Sequence, residues 1–288
     1  MLGSSKVCIS VVGLVFGLGG PQVTAAVLLS DDFSTGPLDS GKWDLPSLSE
    51  SGSGSFETGV DGTLGLVTPG EVGAVRPSAR VDALTSVARS SDWTLTATMN
   101  LADLADLSST FSGGDGVALT IQIKNSIQTG DRLELNLAAI NFGSPGYAVR
   151  SADRLEGTGN INEPIIMLTG STATTATLIV TYDSATQMTN SGYQVNGGPL
   201  QDFGFQSDLS GWATGVGDDF AFTIEASAGN FAGGAAPLAG TMDFSAGEVA
   251  FDSILIEDTY TELVFVPEPE TAMLVGMGVL GVLRRRRR

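Results

Sequence analysis

Two segments, Leu119–Lys124 and Arg132–Leu137, alternate strictly between apolar and polar residues. Leu119, Ile121, Ile123, Leu133, Leu135 and Leu137 fall on one side. Thr120, Gln122, Lys124, Arg132, Glu134 and Asn136 fall on the other. A period of two belongs to a half-buried strand, because successive side chains point to opposite faces. Short β-branched runs separated by Gly, Ser, Asp and Asn clusters recur along the chain, and helical periodicity is nearly absent. Strands are expected at Leu64–Val67, Trp93–Asn100, Gly116–Lys124, Arg132–Ile140, Ala176–Tyr182, Gly192–Val195, Phe220–Ala226 and Glu248–Ile256. One short helix is expected at Leu101–Leu107, and Thr172–Thr177 reads as an edge strand. The predicted fold class is all-β, a two-sheet antiparallel sandwich. The Asn125–Asp131 loop would join the two alternating strands as a hairpin, placing their polar residues on one surface.

The ends of the chain follow different rules. Met1–Ser5 with Lys6 forms a short basic region, Val7–Gly20 is apolar, and Val23-Thr24-Ala25 or Thr24-Ala25-Ala26 supplies a small-residue cleavage site. This is the pattern of a secretory signal peptide over residues 1–26. At the other end, Val266-Pro267-Glu268-Pro269 precedes an apolar run from Ala272 to Leu283 and the cluster Arg284, Arg285, Arg286, Arg287 and Arg288. The prolines forbid helix at the motif itself. As a helix the apolar run would span about 18 Å at ~1.5 Å per residue. That is short of the ~20 apolar residues of a lasting transmembrane helix. Five arginines stay on the cytoplasmic side. The tail therefore reads as a temporary sorting helix with transient membrane contact.

The order of VPEP, apolar stretch and arginine run resembles the PEP-CTERM sorting signal of Gram-negative bacteria. The resemblance implies recognition and removal of the tail by an exosortase-type processing enzyme. It also implies a mature protein at the cell surface or in extracellular polysaccharide. The remaining expected parts are a β-sandwich domain over 27–258 and a linker over 259–265.

The formal net charge of −18 sharpens once both ends are removed. The remainder holds 8 Lys and Arg against 30 Asp and Glu, a net of −22. Such a surface repels nucleic acid and anionic lipid. The one cysteine, Cys8, lies in the signal segment, and the chain has no histidine. Ser-His-Asp and Cys-His catalysis and His-ligated metals are thereby excluded. Carboxylate-pair glycosidase chemistry and oxygen-ligated calcium remain open.

Three further segments carry a second resemblance. Asp31-Asp32-Phe33 with Leu38–Trp43 opens the domain, Val249–Ile256 closes it, and Leu178–Asp183 precedes Gly192–Gly198 in the middle. They resemble concanavalin A-like (laminin-G or glucanase-type) jelly rolls. The resemblance implies a jelly-roll sandwich whose first and last strands pair. The Glu-x-Asp-x-Glu strand of retaining glucanases is absent. Leu133–Leu137 offers Glu134, then Asn136, so one strand supplies one carboxylate where retaining hydrolysis needs two about 5–5.5 Å apart.

These readings set the expectations. The protein is expected to be a non-catalytic, surface-sorted sandwich associated with extracellular polysaccharide. A glycoside hydrolase or polysaccharide lyase is the alternative, and a purely structural envelope protein the next. Gln122, Lys124, Arg132, Glu134 and Asn136 are the expected carbohydrate-binding face, with Tyr147 and Trp212 as loop aromatics able to stack on sugars. Trp43 and Trp93 are expected in the core. No cofactor is required. If calcium binds, Asp31, Asp32 and Asp252 are the favoured ligands, brought together by pairing of the terminal strands.

Overall fold

The computed structural model describes residues 25–265 apart from positions 35–36, 45–46, 49–54, 61–62, 68–70, 73–77, 103–113, 142–144, 169–173, 231–240 and 246. The expected signal segment up to residue 24 and the sorting segment from Val266 lie outside the described residues, as does most of the expected helix. Leu101 itself ends a strand.

Two eight-stranded antiparallel sheets dominate the described residues. The first runs in the order β15 (Gln201–Asp208), β14 (Met188–Val195), β13 (Thr174–Asp183), β7 (Trp93–Leu101), β18 (Val249–Glu257), β4 (Thr63–Val67) and β3 (Ser55–Val60). Its β1 (Val27–Asp31) also pairs with β18. The second runs β11 (Gly159–Asn162), β10 (Pro145–Leu155), β9 (Gln128–Asn141), β8 (Asp115–Asn125), β16 (Phe220–Asn230), β6 (Ser78–Val87) and β2 (Ser47–Leu48). There β12 (Ile165–Leu168) pairs with β10, and β5 (Glu71–Val72) and β17 (Thr241–Met242) form a small separate ladder. Among the described residues no helix is long and apolar enough to cross a membrane.

Seven of the eight expected strands fall within these elements, the eighth, Glu248–Ile256, starts one residue before β18, and the terminal strands pair as expected, Asp31 opposite Ile254. The fold is the expected two-sheet antiparallel sandwich. Two details differ. The β8–β9 turn is only Ser126–Ile127, since Asn125 stands opposite Gln128 and its Oδ1 accepts from Ile127 N at 3.0 Å. An Asx turn lets the chain reverse in two residues where a seven-residue loop is expected. Thr174–Thr177 opens β13, which lies between β7 and β14 and is therefore interior, not an edge.

The inner faces of the two sheets share one core. Leu119, Ile121 and Ile123 of β8 and Leu133, Leu135 and Leu137 of β9 are wholly buried in it. Burial of each such side chain contributes roughly 1.5–3 kcal/mol. At one end Trp93 stacks on Tyr182 at 5.7 Å and meets Phe222 edge-on at 5.6 Å, while Phe220 packs between Tyr182 and Trp212. Trp43 and Trp93 are buried, as expected.

Both ends of the sandwich are tied to the same strand edge. Asp258 N donates to Ala26 O at 3.0 Å, and Asp258 Oδ1 accepts from Ala26 N. The 259–265 segment continues along the domain. Thr94 Oγ1 donates to Thr259 O at 2.7 Å and accepts from Thr261 N at 3.1 Å. The Phe265 ring covers Gly192, where an added Cβ would come within 2.7 Å of it.

Candidate functional site

Strands β16, β8, β9 and β10 lie side by side, and their register fixes what shares the outer face of the second sheet. One row reads Thr223, Gln122, Glu134, Ala152; the next reads Glu225, Thr120, Asn136, Arg150. A third reads Ala221, Lys124, Arg132, Arg154, and a fourth Ser227, Ala118, Ala138, Ala148. These rows floor a groove of about 550 Å³, within the range typical of ligand sites. Arg80 and Glu225 stand on one flank, Arg150, Arg154, Asn160, Glu163 and Ile165 on the other. The expected polar face is therefore one continuous surface.

Its polar groups are held by one another. Arg150 donates through Nη1 to Glu134 Oε2 at 3.3 Å and to Asn136 Oδ1 at 2.9 Å. Its Nη2 lies 2.6 Å from Glu163 Oε1. Arg132 Nε holds the other Glu134 oxygen at 2.5 Å. Asn136 Nδ2 donates to Thr120 Oγ1, and Gln122 Nε2 donates to Glu225 Oε2 at 3.2 Å. Such a network fixes rotamers before any ligand arrives.

Lys124 departs from expectation. It is buried, with Nζ donating to Thr223 Oγ1 at 2.9 Å and lying 3.8 Å from Asp82 Oδ1. Burial first, then the Arg80 charge, pulls its ammonium down to about 8. It stands on the same outer face, enclosed by Thr223 and Asp82 beside the groove, and does not line it. Burial likewise raises the Glu225 carboxyl above its ordinary value, partly opposed by Arg80. Glu163 is lowered: hydrogen bonds from Asn160 and the Arg150 charge outweigh its burial, which is the largest single influence.

The two loop aromatics are corrected. Tyr147 sits on β10 facing the core, is fully buried, and donates through its hydroxyl to Ala102 O at 2.6 Å. Trp212 follows a short 3₁₀ turn and is 3% exposed against Phe220. Neither presents a ring face to solvent, so neither can stack on a sugar. No aromatic is among the described residues lining the groove.

The three aspartates are not brought together as a cation site either. Asp31 accepts from Trp43 Nε1 at 2.7 Å and Phe33 N at 3.0 Å, pinning the opening loop. Asp32 caps Ser34 on the exposed side. Asp252 lies at the bulge of β18 opposite β7. No cluster of three or more acidic side chains able to hold a metal occurs among the described residues.

Sequence reasoning missed Arg80, Arg150, Arg154, Glu163 and Glu225. Glu225 falls within an expected strand, Phe220–Ala226, and alternation alone places it outward. Arg150 and Arg154 sit on a strand whose inward positions include Ser151 and Asp153, which hid its period.

No curated protein matches the chain. Solved structures share its architecture. The CBM2 module of the evolved Dit protein of Lactobacillus casei BL23 phage J-1 superposes with a TM-score of 0.51 at 9% identity, over 83% of this chain and 98% of the module. Peanut lectin gives 0.51 at 11% identity, over 83% of this chain and all of the lectin. An endo-1,3-beta-glucanase from Streptomyces sioyaensis gives 0.49 at 10% identity, over 84% and 99%. At these identities the likeness to the first two concerns the fold alone, a legume-lectin-like jelly roll. Residues 265–288 match the PEP-CTERM protein-sorting motif. That motif marks the chain as an exported, surface-sorted protein and implies processing by exosortase, and the body of the chain has a legume-lectin-like sandwich fold.

Proposed function

We propose that the mature protein is a non-catalytic, lectin-like component of the bacterial surface that holds extracellular polysaccharide in the groove of its second sheet. In this reading the cell is of Gram-negative type, both chain ends are processed away, and no cofactor is required. The carrying observation is the groove itself: an open, preorganised polar channel on a rigid sheet, whose floor offers amide, guanidinium and carboxylate groups at fixed positions. Sugars are recognised by such convergent polar groups, and prior ordering lowers the entropic cost of binding. Glu134 supports a binding role over a catalytic one, since both its oxygens accept from guanidinium groups, leaving a poor nucleophile. The test is retention of the exported protein on the producing cell's own exopolysaccharide. Passage through that matrix without delay overturns the reading.

A glycosidase is the second reading. Glu225 favours it, because the carboxylate that strand β9 lacks stands in the same groove with its proton held more tightly. Paired carboxyls with diverging proton affinities are how acid and base roles separate. Turnover of a glycan panel, abolished in both Glu225→Gln and Glu134→Gln, would establish this alternative.

A further inference from the structure

We infer that the polysaccharide is anionic, carrying carboxylate or sulfate groups along its length, and that Arg132 and Arg154 receive one such group. This rests on the groove being a polysaccharide site. Lys124, Arg132 and Arg154 stand directly opposite one another across β8, β9 and β10. Like charges directly opposite across strands destabilise a sheet. The chain nonetheless places three of its eight mature cations in that one row.

The row also lies where two cavities meet. Arg132 and Arg154 line both the 550 Å³ groove and a neighbouring cavity of about 410 Å³ floored by Gly130 and Gly157–Gly159. The Glu156 side chain lies over Gly130, its Oε2 1.3 Å from where a Cβ would stand, so any larger residue at 130 would have to displace that carboxylate. A ligand long enough to occupy both cavities passes the two guanidinium groups. Glu156 borders the second cavity and Glu134 ties down Arg132 Nε, so the anion's place is toward Arg154. Arg154 is exposed and, among the described residues, makes no side-chain hydrogen bond or ion pair.

The balance of the lining agrees. Four arginines line the groove against three carboxylates, on a mature chain whose acidic residues outnumber basic ones 30 to 8. Without aromatic platforms, recognition falls to charge and hydrogen bonding, and a guanidinium fork suits carboxylate and sulfate oxygens equally.

Affinity electrophoresis of the exported protein in gels containing polygalacturonate, dextran sulfate or dextran tests this. Retardation by polygalacturonate identifies carboxylate as the recognised group, and retardation by dextran sulfate identifies sulfate. Arg154→Gln is expected to weaken that retardation about tenfold, the loss of one charge-assisted contact, while Arg154→Lys, which keeps the charge without the fork, weakens it less. Equal retardation by dextran, or no effect of Arg154→Gln, overturns the anionic inference and leaves polysaccharide binding standing. No retardation in any gel also overturns it, and the broader reading falls with it only if the cell's own exopolysaccharide fails to hold the protein.

Discussion

Arg150 of β10 reaches across to Glu134 of β9, its Nη1 3.3 Å from Oε2, in a pair whose side chains are only 23% and 14% exposed. The contact binds a strand with a weak sequence signal to one with a strong signal. Arg150→Ala is expected to destabilise the domain by about 1–2 kcal/mol, between the values for exposed and buried pairs. Glu134 keeps Arg132, which limits the loss. Urea denaturation with an unchanged slope checks this.

Trp212 and Tyr147 act on the fold. Trp212→Ala removes the ring packed on Phe220 and is expected to cost about 3–5 kcal/mol. Tyr147→Phe removes only the hydroxyl bond to Ala102 and should cost about 1 kcal/mol. Thermal unfolding measures both. Any Tyr147→Phe protein that folds should keep its full affinity for polysaccharide.

Asp153 lies buried on the inner side of β10, with one carboxylate oxygen lacking a partner. Burial raises its pKa, and Asp208 and Asp131 add to the effect against a hydrogen bond from Ser207. The folded state thus keeps this proton above pH 3.8, where the unfolded chain gives it up. Stability from this site is present at low pH and is lost as pH rises from 3.8 through the folded value. Asp153→Asn is therefore expected to raise the melting temperature at pH 7, with the gain shrinking as pH falls toward 4. A gain that does not depend on pH contradicts this origin.

Ala26 already belongs to the sandwich, exchanging hydrogen bonds with Asp258. Cleavage after Ala25 would leave its amino group as a cation against that carboxylate, whereas cleavage after Ala26 would delete the contact. Mass spectrometry of the exported protein should find Ala26 as the first residue. A start at Val27 would show that the contact plays no part in the mature protein.

Legibility in the sequence followed the strength of alternation. Strands β8 and β9 were evident because their inner positions from Val117 to Ile123 and from Leu133 to Ala139 are all apolar, and their shared register then put Gln122, Arg132, Glu134 and Asn136 on one face. Strand β10 was hidden because Ser151 and Asp153 face inward, so Arg150 and Arg154 went unseen. Strand β6 was obscured by the bulge opposite Ala221–Thr223, and with it Arg80. Local pattern also misled for Tyr147 and Trp212: Gly and Pro neighbours suggest exposed loops, while tertiary packing buries both rings. Lys124 alternates correctly with its strand, yet the depth at which Thr223 and Asp82 enclose it depends on β16 and β6, which a single-strand pattern does not contain.

The most direct measurement of the central claim is retention of the exported protein on its producer's exopolysaccharide, compared with a Gln122→Ala/Arg154→Gln double variant of matched melting temperature. The groove account predicts that the native protein is held and the variant is released. Equal retention of the two, or passage of both, would contradict it.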